Sequence, residues 1–256
     1  MKTENFVDKD SIVREIWGKT DTILFIFAGA SAEFALNKAV DWLYYTGKLP
    51  EDPLGRLFST VAYACKIVFS EKQAAISAIE IINKAHADVE SQRGKSIPDW
   101  AYRDVLFMLI DYSIRAYELL ERSLTIAEKL EVLEVFIRVG KRMKLKDLPE
   151  NFQDYEVMRK NHLEQHMNYG NYTRDLYRQY CKHLGWFRYQ LLLETQMLIT
   201  PKKVRQLLLL RKFSILRPLL PGYKLSRKLK LDFLLKTLIL PADYKEEIRS
   251  LDHVSV

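Results

Sequence analysis

Apolar residues in this chain recur at helical spacing, and nowhere do more than a few residues alternate apolar with polar. A helix returns a side chain to one face every 3.6 residues and a strand every two, so the pattern specifies helices and gives no sheet. Residues 9–46 read as one helix, because ILFIFAGASAEFALNKAVDWLYY carries no proline. Gly47 and the segment Leu49-Pro50-Glu51-Asp52-Pro53 end it. Asp52 before Pro53 has the form of an N-cap with proline in the first turn, starting a helix to about Phe69. Ser70 with Gln73, and Thr125 with Glu128, have capping-box spacing and open helices to about Glu90 and Gly140. Pro98 opens a helix over Trp100–Glu121, and Pro149 with Asn151 opens another to about Met167. Thr173 to Ile199 is again helical in pattern. Beyond it Pro201, Pro218, Pro221 and Pro241 cut the chain into short pieces.

The fold expected is all-α: a single large helical domain of about eight or more helices over residues 1–256, with a core at about 10–167 and a basic helical tail at about 171–256. Val105 to Ile110 is apolar on every side, which places the Trp100–Glu121 helix centrally. Cys65 and Cys181 lack any zinc or CxxC spacing and read as buried, reduced thiols, which points to a reducing compartment. The polar, mixed-charge start MKTENFVDKD has no signal-peptide pattern. The longest apolar stretch, Ile23 to Ala32, is about half of a bilayer span. The expected location is therefore cytoplasmic, with peripheral attachment to a membrane.

That attachment is assigned to the tail. The net charge is +7, and between Lys202 and Lys236 the only acid among many lysines and arginines is Asp232. Leucines interleave with these bases where exposed aromatics for base stacking would be needed, so residues 201–240 suit an anionic membrane surface and no nucleic acid is expected. A competing reading packs the leucines back on the domain and leaves the charged heads in water.

Two polar stripes interrupt helices that are otherwise apolar. Asp111, Arg115 and Glu118 share a face directly after the Val105–Ile110 run, and Asp111 with Arg115 has the spacing of a local ion pair. Glu33, Asn37 and Asp41 form a second stripe, after the small residues Gly29 to Ala32. Buried charge is costly unless paired, so such stripes are either register-fixing ion pairs or walls of a functional pocket. Among the histidines, His86 lies between Ile81, Ile82, Ala85 and Val89 on an apolar face. His162 and His166 could clasp a metal from one helix face, but the order HLEQH is not HExxH, and Lys160 and Asn161 beside them point to solvent. GxSxG, P-loop and GxGxxG patterns are absent, as are the paired ExxH motifs of a ferritin-like di-iron site.

An ordered set of short motifs resembles a known family. Asp52-Pro-Leu-Gly-Arg-Leu57, Ala85-His-Ala87, Asp111-x-Ser113-x-Arg115-Ala-Tyr-Glu118, Leu124-Thr-x-Ala-Glu128, Val139-Gly140 and Asp147-Leu-Pro149 follow in order. Together they resemble the domain shared by the latex-clearing rubber oxygenases and the MpaB-type ER-bound oxygenase, over roughly residues 10–167 and more loosely to Leu240-Pro241. The resemblance implies an all-helical domain that in some members holds a b-type haem and cleaves carbon–carbon double bonds of isoprenoid chains with dioxygen. It implies haem ligation by His86. Two other histidines recurrent in the family are replaced here, by Leu106 and near Gly29.

On this reading His86 is the metal ligand, and Arg115, Lys84 and Asn37 join it in binding the cofactor. Asp111, Arg115, Glu118 and Glu33 are the candidate catalytic residues, and the substrate is a hydrophobic isoprenoid or lipid-like molecule. Two alternatives stay open: a cofactor-free lipid- or partner-binding module, supported by the missing histidines, and an enzyme with a non-haem metal held by Glu33 and His86.

Overall fold

The computed structural model describes residues 4–47 and 51–228. Among these residues are eleven α-helices and no strand longer than an isolated bridge. They are α1 Ile12–Trp17, α2 Thr20–Leu36, α3 Val40–Tyr45, α4 Pro53–Phe69, α5 Lys72–Arg93, α6 Asp99–Leu120, α7 Ile126–Arg142, α8 Phe152–Gln165, α9 Asn171–Ile199, α10 Lys202–Leu207 and α11 Leu220–Lys228. No described helix is long and apolar enough to cross a membrane. Pro241, the Leu240-Pro241 pair and the tail from residue 229 lie outside the described residues.

Local signals set most boundaries. Asp52 caps α4 by accepting from the Gly55 N–H at 2.8 Å, with Pro53 in the first turn. Thr125 and Glu128 form a reciprocal capping box on α7, and Asn151 caps α8 through the Asp154 N–H. Gly94 closes α5 with φ of 65°, a conformation that penalises any Cβ.

Two expectations fail for tertiary reasons. The stretch 9–46 is three helices: Gly18 ends α1, and Asn37, extended at φ −66° and ψ 132°, ends α2. Asn37 leaves the helix because its main chain bridges to Met167 and its side chain accepts from the Ala39 N–H at 2.8 Å. Ser70 does not cap α5 but ends α4; Glu71 holds the N-cap position without a side-chain bond. The N-terminal segment serves that helix end instead, the Lys72 N–H donating to the Glu4 carbonyl at 2.8 Å.

The core sits around α2, which packs on α6 on one side and α9 on the other. Leu106, Phe107, Met108 and Ile110 of α6 are buried as expected, while Val105 and Leu109 are half-buried. Each large apolar side chain so buried contributes about 1.5–3 kcal/mol. The closeness of α2 and α6 rests on Gly29: a Cβ there would lie 2.2 Å from the Tyr112 ring. On the far side α9 kinks at Gly185 and lays Leu176, Tyr180, Met197 and Ile199 into the interior, so the core extends well past residue 167. Cys65 is a buried free thiol, pushed up to about 12 by burial, whereas Cys181 is only half-buried.

Candidate functional site

Three helices deliver polar side chains into this apolar interior. From α2 and its cap come Glu33 and Asn37, from α6 Asp104, Asp111 and Tyr112, and from α8 Arg159, His162 and His166. The spacing explains the convergence. Asp104 and Asp111 are two helical turns apart, and Arg159, His162 and His166 repeat at three- and four-residue steps, so each set occupies one face.

Glu33 is fully buried and makes the hub. Arg159 binds both its oxygens, with Nη2 donating to Oε2 at 2.7 Å and Nη1 against Oε1. The Tyr112 hydroxyl donates to Oε2 at 2.9 Å, and Nε2 of His162 meets Oε1 at 2.7 Å. Arg159 also holds Asp111, donating to Oδ2 from Nη2 at 2.8 Å and from Nε at 3.2 Å. Asp104 accepts from Asn37 Nδ2 at 3.1 Å and meets His166 Nδ1 at 2.8 Å through Oδ2. Nδ1 of His162 lies close to Oδ1 of Asp104 but without a hydrogen bond's alignment, and it is buried. The side-chain atoms of Asp104, His162 and His166 fall within 4.8 Å of one another, a spacing at which they could hold a metal ion.

The electrostatics follow from burial and pairing. Burial alone would raise the Glu33 carboxyl, but the Arg159 guanidinium and its hydrogen bonds bring it down to about 2. Burial opposes the charge on Arg159, yet Glu33 and Asp111 hold it well above its ordinary value. Tyr112 is raised well above its own, by burial and by Glu33. Burial pushes His162 down, and its carboxylate neighbours Asp104 and Glu33 more than offset this.

The residues expected from sequence divide. Glu33, Asn37 and Asp111 belong to this centre. Arg115 does pair with Asp111, Nε donating at 2.7 Å, but from outside: its side chain is 42% exposed. Glu118 accepts from the Leu124 N–H and pairs with Lys129, so it serves the α6–α7 turn. Asp41 pairs with Arg93, away from the Glu33 partners.

His86 does not lie on a buried apolar face. Ile81 is 48% exposed, Lys84, Ala85, Ala87 and Asp88 are exposed, and the half-buried His86 ring rests 4.9 Å from that of Tyr102. Burial, then nearby Arg56, keep His86 below its usual pKa. The reverse error concerns His162, which is 2% exposed: Lys160 and Asn161 do face solvent, but one and two residues away they point from other sides of α8. Arg159, Asp104 and Tyr112 are not singled out by the sequence reading; the Arg159, His162, His166 spacing is a signal for Arg159 alone.

The described residues form an all-α frame around a buried carboxylate, guanidinium and imidazole centre. The chain belongs to the family described as ER-bound oxygenase mpaB/B'/Rubber oxygenase, catalytic domain, which matches residues 17–228. No curated protein and no solved structure matches the chain.

Proposed function

We propose that this chain is an oxygenase-type oxidoreductase whose working centre is the Glu33, Arg159, His162 and Asp104 cluster, and whose substrate is a hydrophobic isoprenoid or lipid-like molecule. One observation carries the reading: in an oxygenase-family chain, ionisable side chains from three helices converge inside an apolar core. Buried charge of this kind lowers stability relative to an apolar core, and functional sites are where that cost is accepted. The apolar surroundings favour an apolar substrate.

Oxidative cleavage needs a redox group, because side chains do not activate dioxygen. The residues present do not fit a haem between α2 and α6. Where the resemblance puts two further histidines, the Tyr112 ring closes over Gly29, and Leu106 packs so that a Cβ on Gly140 would lie 2.9 Å from its Cδ2. That leaves His86 as the single haem ligand, on a half-exposed stretch of α5. The same closure favours, as a second reading, a cofactor-free binding module.

The test is to purify the chain from haem-supplemented, metal-replete cells, record its absorption spectrum and metal content, and follow dioxygen uptake with polyisoprenoid and fatty-acyl substrates. Uptake that depends on a bound redox group supports the oxygenase. A protein that binds these lipids with neither cofactor nor uptake is the module. A full Soret band abolished by His86→Ala returns the centre to His86.

We further propose that the segment from Lys202 onward rests on an anionic membrane surface. Leu209, Phe213, Ile215, Leu219 and Leu225 are all at least 60% exposed and stand among lysines and arginines. Exposed apolar side chains beside bases are the composition of an interfacial anchor. A cleft of about 570 Å³ nearby is lined by Lys160, Leu163, Glu164, Pro201, Lys202 and Lys203.

A further inference from the structure

We infer that Asp104, His162 and His166 bind one divalent transition-metal ion of the ferrous type. The choice of a redox metal rests on the oxygenase reading; the existence of the site rests on geometry alone. Two imidazoles and one carboxylate that leave coordination positions open are the ligand set of non-haem iron oxygenases.

Four features point to a ligand set and not to a plain ion-pair network. First, the three side chains bring their donor atoms within 4.8 Å of one another, and metal bonds of about 2.0–2.2 Å would draw such atoms to one centre. Second, His162 is oriented as a ligand. Its Nε2 is taken by Glu33 at 2.7 Å, which leaves Nδ1 buried and facing Oδ1 of Asp104. A histidine whose other nitrogen is held by a carboxylate is the usual arrangement behind a metal. Glu33 is itself fixed by Arg159 and Tyr112, so the orientation is firm.

Third, among the described residues no lysine or arginine is paired with Asp104. Glu33 and Asp111 share Arg159, and Asp111 also has Arg115. Among the described residues Asp104 is 2% exposed and has ion-pair contacts with His162 and His166 only. A divalent ion supplies the positive charge that a buried carboxylate requires. Fourth, the site is reachable. His166 ends α8 with its side chain 24% exposed and its ring 4.4 Å from that of Trp100, so the metal has a side open toward the surface.

The experiment uses the full chain, stripped with a chelator and titrated anaerobically with Fe(II) and with Co(II) as a spectroscopic probe. The expected result is one equivalent bound, with Co(II) ligand-field bands in the visible. His166→Ala, at a partly exposed position, and Asp104→Asn should abolish binding while far-ultraviolet circular dichroism shows the fold intact. Glu33→Gln should weaken binding by about 10–100-fold, as loss of an orienting carboxylate does. No binding by the folded wild-type chain, or binding unaltered in both His166→Ala and Asp104→Asn, overturns the site. Uptake of Zn(II) with rejection of Fe(II) and Co(II) overturns the ferrous assignment. Dioxygen uptake in the same samples judges the activity separately: a bound metal without uptake removes the oxygenase reading and leaves the site, and uptake indifferent to these variants does the reverse.

Discussion

Arg159 and Glu33 stand 126 positions apart in the sequence and form a two-pronged buried ion pair, with Nη2 donating to Oε2 at 2.7 Å. Both side chains are buried, 7% and 0% exposed. Arg159→Gln therefore strips the buried Glu33 carboxylate of its guanidinium partner and takes one of two from Asp111, and is expected to destabilise the fold by about 3–5 kcal/mol in urea melts. Arg115→Ala should cost less than about 1 kcal/mol, because Arg115 is largely exposed and Asp111 keeps Arg159. Equal losses in the two variants would contradict the arrangement.

Gly29→Ala places a methyl group into the Tyr112 ring, 2.2 Å from Cδ1. Overpacking of this kind costs about 1–3 kcal/mol. The cost should shrink in a Tyr112→Leu background, and a double-mutant cycle in thermal or denaturant melts measures that coupling. Additive losses would mean that α2 and α6 do not meet there.

At the start of α7, the Arg122 side chain, followed by the Thr125 N–H, holds Glu128 at about 2, below its ordinary 4.5. A carboxylate with a depressed folded value contributes stability in full above about 4.5 and loses it as pH falls through its folded value. The protection factors of the amides at residues 126–129, taken relative to intrinsic exchange at each pH, should accordingly fall between pH 4.5 and 2. Thr125→Ala should cost about 1 kcal/mol of stability as the cap is lost. Protection that is flat across this range would show the capping box to be dispensable.

For the membrane reading, flotation on anionic vesicles is expected at low salt, weaker at high salt, and lost in Lys202→Glu/Lys203→Glu/Lys212→Glu. Arg211 is unsuitable as a probe because it binds Glu194, whose other oxygen accepts from the Ile215 N–H at 2.8 Å. Changing Arg211 would undock the segment instead of testing lipid. Flotation on neutral vesicles alone, or none at all, removes this proposal.

Helical periodicity, Asp52, Thr125 with Glu128, Asn151 and Gly94 made the all-α class and several helix ends legible, because caps act through residues three or four apart. The breaks at Gly18 and Asn37 were not, since Asn37 leaves its helix for a partner at Met167. The site was half legible for the same reason. Glu33, Asn37 and Asp111 announce themselves as polar side chains inside apolar helices, and the Asp111–Arg115 pair formed as spacing required. Asp104 and Arg159 give no such sign: each looks like an ordinary surface residue until a second helix covers it. Around His86 the face that is apolar in sequence is partly exposed in the fold.

The ends of α2 and α8 are joined through main-chain atoms: Asn37 bridges to Met167, the Lys38 N–H donates to the His166 carbonyl at 2.9 Å, and the Asn168 N–H donates to the Leu36 carbonyl at 2.8 Å. Peptide groups bond without regard to the side chains they carry. The α2 and α8 corners beneath the centre are thus a socket whose shape does not depend on what is plugged into it. A lineage could exchange the side chain at His166 and keep the corner in register, which gives a single helical frame a way to host different reactive groups.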